Sequence, residues 1–355
     1  MLRFDLHRHL EGSHSPRALL TAARAHDIRD PLFFDGERQR FRSEDELAAR
    51  LTMRAGEGAR EFYSRISLAR TAYVSVEAIA QLAELAFDEV CAESDRAEMR
   101  VSLFSMTRTL LAREGDWRAL DPIAFAERAV AILVQLLAAR DRVEARAGKR
   151  LPIRLGLSRT FESAAHYAAL GDAVREHARG LCGLDILGIV SGPDAEPLQP
   201  ELVAIVERLR RDLPDLTVHA GELAGAESVR RTLELAPHGI GHGVRSLESP
   251  ALLDQLAARG VTLEVCPSSN ALLIPDAVAA LSAGAGAAPL VALQRAHVRC
   301  VLGSDDPVIF GTSSPREHEV AREIGADLAR LEADARRRWE QITGETISCE
   351  STAAS

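Results

Sequence analysis

Eight short apolar runs recur along the chain, and most are followed by a stretch of helical length and pattern. The runs are Arg3–His7, Glu98–Leu103, Ile153–Leu157, Asp185–Val190, Leu216–His219, Gly239–Gly241, Val261–Val265 and Arg299–Leu302. None alternates strictly between apolar and polar residues, which suits parallel strands covered on both faces. Helical stretches between them include Val76–Ala92, Pro122–Ala145, Ala164–Ala178, Glu201–Arg211, Ala226–Leu235 and Pro250–Arg259. This alternation predicts an α/β chain wound as a (β/α)8 barrel of the TIM type. The segment Thr21–Ser75 does not resolve into one crossover helix, so it predicts a helical excursion after the first strand. Ala283–Ala288 reads as a flexible loop, and helices are expected from about Pro315 to Trp339. Residues 1–345 are expected to form one barrel domain, and 346–355 a disordered tail.

Composition narrows the function classes. A chain of 355 residues fits a barrel of about 250 residues plus insertions. No run of 18 apolar residues occurs, so neither a membrane span nor a membrane partner is expected. The first residues lack a basic stretch followed by an apolar one, so a cytoplasmic location is expected. The five cysteines (Cys91, Cys182, Cys266, Cys300, Cys349) have no metal-site spacing and read as free thiols. A net charge of −9 argues against a nucleic-acid partner. Lys149 is the only lysine.

Four motifs carry chemistry. His7 and His9 stand two apart at a strand end and point to one side, where two imidazoles can chelate a divalent ion. His219-Ala220-Gly221-Glu222 ends another strand, with a glycine allowing a sharp turn before a candidate general acid. His242 sits between Gly241 and Gly243, with backbone room around it. Asp305-Asp306-Pro307 follows an apolar run and offers one carboxylate to a metal and one to a pocket. Each has a plain alternative when taken alone: surface histidines, a helix-start glutamate, a turn histidine, a polar turn. Together they occupy the C-terminal ends of predicted strands one, five, six and eight, which meet on the face where barrel active sites lie.

As an ordered set these motifs resemble the adenosine deaminase family, from His7 to about Trp339. The matching segments also include Glu98–Ser102, Leu263–Asn270 and Phe310-Gly311-Thr312. The resemblance implies hydrolytic deamination of a 6-aminopurine with one zinc per chain, held by His7, His9, His219 and Asp305. It further implies Glu222 next to purine N1, His242 beside the water that zinc activates, Asp306 accepting from N7, and Gly192 donating a backbone N–H to N3. No predicted strand holds the lysine that bridges two metals in binuclear relatives of the wider superfamily. The separate deaminase class with a Pro-Cys-x-x-Cys site is excluded, since the chain has no Cys-x-x-Cys.

Departures from the family pattern fall in regions of substrate recognition. Glu11 stands where adenosine deaminases typically carry Asp, and its carboxylate reaches about one bond further into the pocket. Ile189-Val190-Ser191-Gly192 replaces the usual Asp-Leu-Ala-Gly, and Leu272–Pro289 lacks the usual His-Pro. The long Thr21–Ser75 segment suggests cover for something larger than a base, so adenosine or a related nucleoside is the expected substrate. Free adenine, another aminated ring such as a pterin, and a catalytically inactive ligand-binding relative are the alternatives.

Overall fold

The computed structural model describes residues 1–26, 28, 43–190 and 194–347. Its strands are β1 (Phe4–Asp5), β2 (Arg96–Ala97), β3 (Met99–Val101), β4 (Ile153–Ser158), β5 (Gly183–Leu187), β6 (Leu216–Ala220), β7 (Gly239–His242), β8 (Thr262–Val265) and β9 (Arg299–Leu302). Strands β3 to β9 pair in sequence order, every neighbour parallel, and β1 pairs with β2 in the same sense. The residues after β1 close the ring. The Leu6 N–H donates to the Leu302 carbonyl (3.0 Å) on the β9 side, and the Leu10 N–H donates to the Arg100 carbonyl (2.9 Å) on the β3 side. A short unpredicted strand, β2, precedes the second predicted one; after a break at Glu98 the predicted Glu98–Leu103 run forms β3, which ends at Val101 because the helix Leu103–Leu111 starts right after Ser102. The result is the expected (β/α)8 barrel, with eight staves.

Proline sets where several outer helices begin. Pro122, Pro200, Pro250 and Pro289 each open a helix at a position where the missing N–H costs nothing. Pro122–Ala147 is, among the described residues, the one helix long and apolar enough to cross a membrane by composition alone. It lies along the barrel instead, with Phe125, Ile132, Leu133, Leu136 and Val143 buried. Its C-terminal half carries Arg142 and Arg146, paired with Glu84 and Asp88 on the helix Val76–Glu93. Ala283–Ala288 is not the expected loop. Its first residues finish the helix Pro275–Ala285, which stops at Gly286 in the left-handed conformation; alanine's helix preference outweighs one exposed glycine there.

The barrel interior below the strand ends holds ions rather than branched aliphatics. Arg154 grips Glu98 through two bonds of 2.7 and 2.8 Å and reaches Asp215 at 2.7 Å. Arg338 grips Asp215 at 2.6 and 2.8 Å. Arg100 joins Asp185 at 2.8 Å and also pairs with Glu264. All of these side chains are buried. Removing one partner would strand a buried charge, at a cost of about 3–5 kcal/mol.

After the first strand the chain makes the expected helical excursion among its described residues: Pro16–Ala25, Glu44–Leu51 and Ala59–Ala69, ending in the turn Arg70–Ala72. The last of these helices brings Phe62, Tyr63 and Ile66 over the mouth of the barrel.

Candidate active site

Every described residue singled out by sequence stands at the C-terminal end of the strands. His7 and His9 follow β1, His219 is in β6, His242 ends β7, and Asp305 and Asp306 follow β9. Gly192 lies outside the described residues. Alternation along the first strand turns the rings of His7 and His9 inward together. Their Nε2 atoms are 3.3 Å apart, and the His219 Nε2 is 3.1 Å from one and 3.2 Å from the other. Asp305 Oδ1 is 3.8 Å from the His7 Nε2 and 3.5 Å from the His9 Nε2. Ligands about 2.0–2.1 Å from a tetrahedral zinc are separated by roughly this much.

The tautomers make the same case. His7 Nδ1 faces the Glu264 carboxylate at 3.1 Å, and His219 Nδ1 faces Asp185 at 3.0 Å. Each carboxylate accepts a hydrogen bond from the Nδ1–H, leaving the two Nε2 lone pairs 3.1 Å apart with no hydrogen between them. Burial also pushes the His7 and His9 imidazoles well below their ordinary pKa, so they are neutral. Converging lone pairs beside a carboxylate call for a cation, and the donor set fits zinc. Arg100 contacts both backing carboxylates. Gly241 makes room for this packing: a Cβ there would sit 2.8 Å from the His7 ring and 3.1 Å from the His219 ring.

His242 differs from the other three histidines. The Asn270 amide nitrogen donates to its Nδ1 at 3.1 Å, so the ring proton sits on Nε2. That atom lies 3.6 Å from Glu222 and 3.9 Å from Asp305. It can donate a hydrogen bond to a water on the metal's open side, but it cannot ligate in this tautomer. Burial lowers the pKa of His242 to about 3. Both His242 and Asp305 adopt left-handed backbone angles (φ 60° and 62°), the kind of strain that gathers at functional sites. Cys266 lies close enough to form a metal grouping with His242 and Asp305. Burial pushes its thiol up, and its proton faces the Glu264 carbonyl, so it stays a thiol. The four described cysteines are all free.

Glu222 and Asp306 are both buried. Glu222 is pushed well above the usual carboxylate range by burial first, then by the charges of Asp305 and Glu196. Asp306 is pushed up by burial, then by Asp305 and Glu11, and its Oδ1 is buried without a hydrogen-bond partner. These groups line a cavity of about 90 Å³ together with Phe62, Tyr63 and Arg70. Phe62 stacks on Phe310 (5.4 Å, 6° between planes), giving the cavity a fixed flat wall. Glu11 is buried there and pairs with Arg70 at 3.4 Å.

Sequence reading missed Asp185, Glu264, Arg100 and Asn270 as supports for the histidines. A signal existed: Asp185, Arg100 and Glu264 are charged residues inside otherwise apolar strand runs, where a charge must find a partner. Arg70 and Glu196 had no such signal.

Comparison with known proteins follows the same lines. A family model described as adenosine deaminase matches residues 3–337. An adenine deaminase of Mesorhizobium japonicum is 40% identical over 136 residues, which are 38% of this chain and 40% of that relative. The matched stretch thus spans about two fifths of that protein's length. In fold, the chain is similar to an adenine deaminase from Arthrobacter aurescens, with a TM-score of 0.72 at 18% identity, covering 94% of this chain and 92% of that one. It is also similar to an amidohydrolase from Burkholderia ambifaria solved with bound zinc, with a TM-score of 0.69 at 14% identity, covering 98% and 86%.

Proposed function

The chain belongs to the adenosine deaminase family, and from that premise we propose that it is a zinc-dependent hydrolase that converts a free 6-aminopurine, adenine, to the 6-oxo purine and ammonia. One zinc per chain is held by His7, His9, His219 and Asp305. When bound, that ion lowers the pKa of a coordinated water to about 7 and so supplies a nucleophile at neutral pH. Glu222, kept protonated by its surroundings, gives its proton to N1, which breaks the aromaticity that resists attack at C6. His242 directs its Nε2–H at the attacking water and orients it. Phe62, backed by its stack on Phe310, fixes the ring plane. Asp306 pairs with N7. Because N7 of a 9H-purine carries a lone pair, the buried neutral acid donates there, the reverse of the acceptor role read from the sequence.

The observation that favours the base over the nucleoside is the pair of the buried Glu11 with the partly exposed Arg70. It closes the side of the cavity on which Asp306 meets the five-membered ring. A free base presents an N9–H donor to the Glu11 carboxylate, whereas a nucleoside has none and needs room for a sugar. The cavity of about 90 Å³ is also far below the roughly 300–1,000 Å³ of drug-sized sites. Of the Thr21–Ser75 segment, the helix Ala59–Ala69 and Arg70 line this small cavity. The curated relative named as an adenine deaminase supports the same reading.

The test is kcat/KM for ammonia release from adenine, 9-methyladenine and adenosine. Adenine should exceed both others by about 10³-fold or more, because a site built around an N–H rejects analogues without it. Glu222→Gln should cut turnover by about 10²-fold or more while metal stays bound. A preference for adenosine would overturn the Glu11 assignment and leave the deaminase reading standing. No ammonia from any aminopurine would overturn both.

A further inference from the structure

The loop that carries Glu222 is organised by a carboxylate that no motif contains. After β6 the chain runs through Gly221, with φ 66°, to the helix Ala226–Thr232. Four consecutive backbone N–H groups of this loop point at one side chain. Glu196 Oε2 accepts from Gly221 N at 2.8 Å, and Oε1 accepts from Glu222 N at 3.0 Å, Leu223 N at 2.8 Å and Ala224 N at 3.1 Å. The Ser228 hydroxyl donates to Oε2 as well. Glu196 is 1% exposed, so these donors replace its water entirely. Successive N–H groups turned to one point form an anion-binding nest, and here the anion comes from the chain itself.

The other end of this contact is also anchored. Asp194 grips Arg231 through bonds of 2.7 and 2.9 Å. The Val190 N–H donates to the Ala195 carbonyl at 2.9 Å, and Arg159 Nε donates to the Pro197 carbonyl at 3.1 Å. Arg159 also bonds the His219 carbonyl, so segment 194–197 and the end of β6 share one guanidinium. Among the described residues the Glu222 carboxyl has no comparable hold, its ion-pair contact being His242 at 3.6 Å. Its direction is set by its backbone.

Resting on the reading of Glu222 as the proton donor, we infer that Glu196 is a positioning residue: it fixes the turn Gly221–Ala224 and thereby aims Glu222 at the substrate ring. Nearby negative charge on Glu196 also helps Glu222 keep its proton, which suits the same task.

The experiment uses the metal-loaded full chain with adenine. Glu196→Gln keeps the shape but turns an amide N–H2 against N–H donors. We expect kcat to fall by about 10²-fold, the effect of roughly 1 Å of misplacement, with KM within about threefold and metal content unchanged. Glu196→Asp, which restores the anion on a shorter stem, should recover part of the loss. In a Glu222→Gln background Glu196→Gln should cost less than about twofold further, since the two act as one unit. A merely structural role would instead lower the folded fraction and add its full cost in both backgrounds; either that additivity or an unchanged kcat per folded chain overturns the assignment. If Glu196→Gln does not fold, Ser228→Ala loosens the same carboxylate. It should cost about three- to tenfold in kcat, and a loss that persists with Glu222→Gln has the same adverse meaning. Hydrogen exchange at the amides of 221–224 gives a readout without substrate. Faster exchange in Glu196→Gln is expected and unchanged exchange overturns the nest, even if the wild-type chain releases no ammonia and the functional reading falls by itself.

Discussion

The floor and the roof of the cavity are built by different means. Each histidine of the floor whose ring partner is known is held from behind: His7 by Glu264, His219 by Asp185 and His242 by Asn270. Asp305 is locked to the first strand by two backbone bonds, its N–H to the His7 carbonyl at 2.7 Å and the His9 N–H to its carbonyl at 2.8 Å. The roof is held mainly by apolar packing, with Phe62 and Ile66 against Ile309 and Phe310, and its polar contacts at the mouth are longer. Tyr63 receives the Ile189 N–H at 3.2 Å, and Arg70 meets Glu11 at 3.4 Å. A floor of buried, mutually paired charges cannot be altered one residue at a time without stranding a partner. A roof carried by a helix outside the barrel can be altered at little cost. The division leaves the reaction fixed and the choice of substrate open to change.

The largest effect should come from breaking the floor. His219→Ala removes one of the four proposed ligands, and metal measured by elemental analysis should fall from about one zinc per chain to a small fraction, with activity down by about 10³-fold or more. Asp185→Asn keeps the ligand but loosens it, and chelator competition should show about 10–100-fold weaker binding. Full metal retention in His219→Ala would mean that the ion is held by a different grouping, one that recruits His242.

These two regions also differ in how well they can be read from the sequence. The floor was legible because its residues are rare types at fixed places. A histidine or a pair of acids ending an apolar run has little to do there except chemistry, and the barrel brings all such ends together. Eight strand runs were enough to fix the fold, since a parallel strand must be covered on both sides and needs a helical return. The break at Glu98 was not legible, because it arises from pairing with the first strand (Glu98 N–H to the Asp5 carbonyl, 2.9 Å). Nor was the roof. Arg70 meets Glu11 only because a helix 59 residues further on folds back across the mouth, and nothing local to either residue announces the pair. Glu196 was hidden for the same reason: its partners are backbone amides, and any sequence supplies those.

Changing the roof should move specificity and spare the floor. Arg70→Met removes the charge that holds Glu11 in place, and Glu11→Asp withdraws the carboxylate by one methylene. In both variants the ratio of kcat/KM for adenine to that for adenosine should narrow by about 10- to 100-fold. Metal content should stay at the wild-type level. If the ratio stays fixed while activity on both substrates falls together, roof and floor are one unit and the proposed division fails.

The smallest effect tests the boundary between the two, and it is read in stability after the metal has been chelated. Glu222 is pushed well above 4.5, first by burial and then by Asp305 and Glu196. The unfolded chain ionises this carboxyl near 4.5, while the folded chain does not. Above that pH the unfolded state therefore binds fewer protons, and stability falls as pH rises, by at most about 1.4 kcal/mol per pH unit from this one group. Glu222→Gln removes the penalty. It should be as stable as wild type near pH 4 and more stable near pH 8, by a few °C in Tm on the order expected for a chain of this size. Glu11→Gln should show no such gain, because its carboxylate has Arg70 beside it and loses a partner on substitution. Opposite signs for the two glutamates at pH 8 would mark Glu222 as a residue kept at a cost to the fold. Equal signs would mean that burial alone governs both, and that Arg70 does not distinguish the roof carboxylate from the one placed for proton transfer.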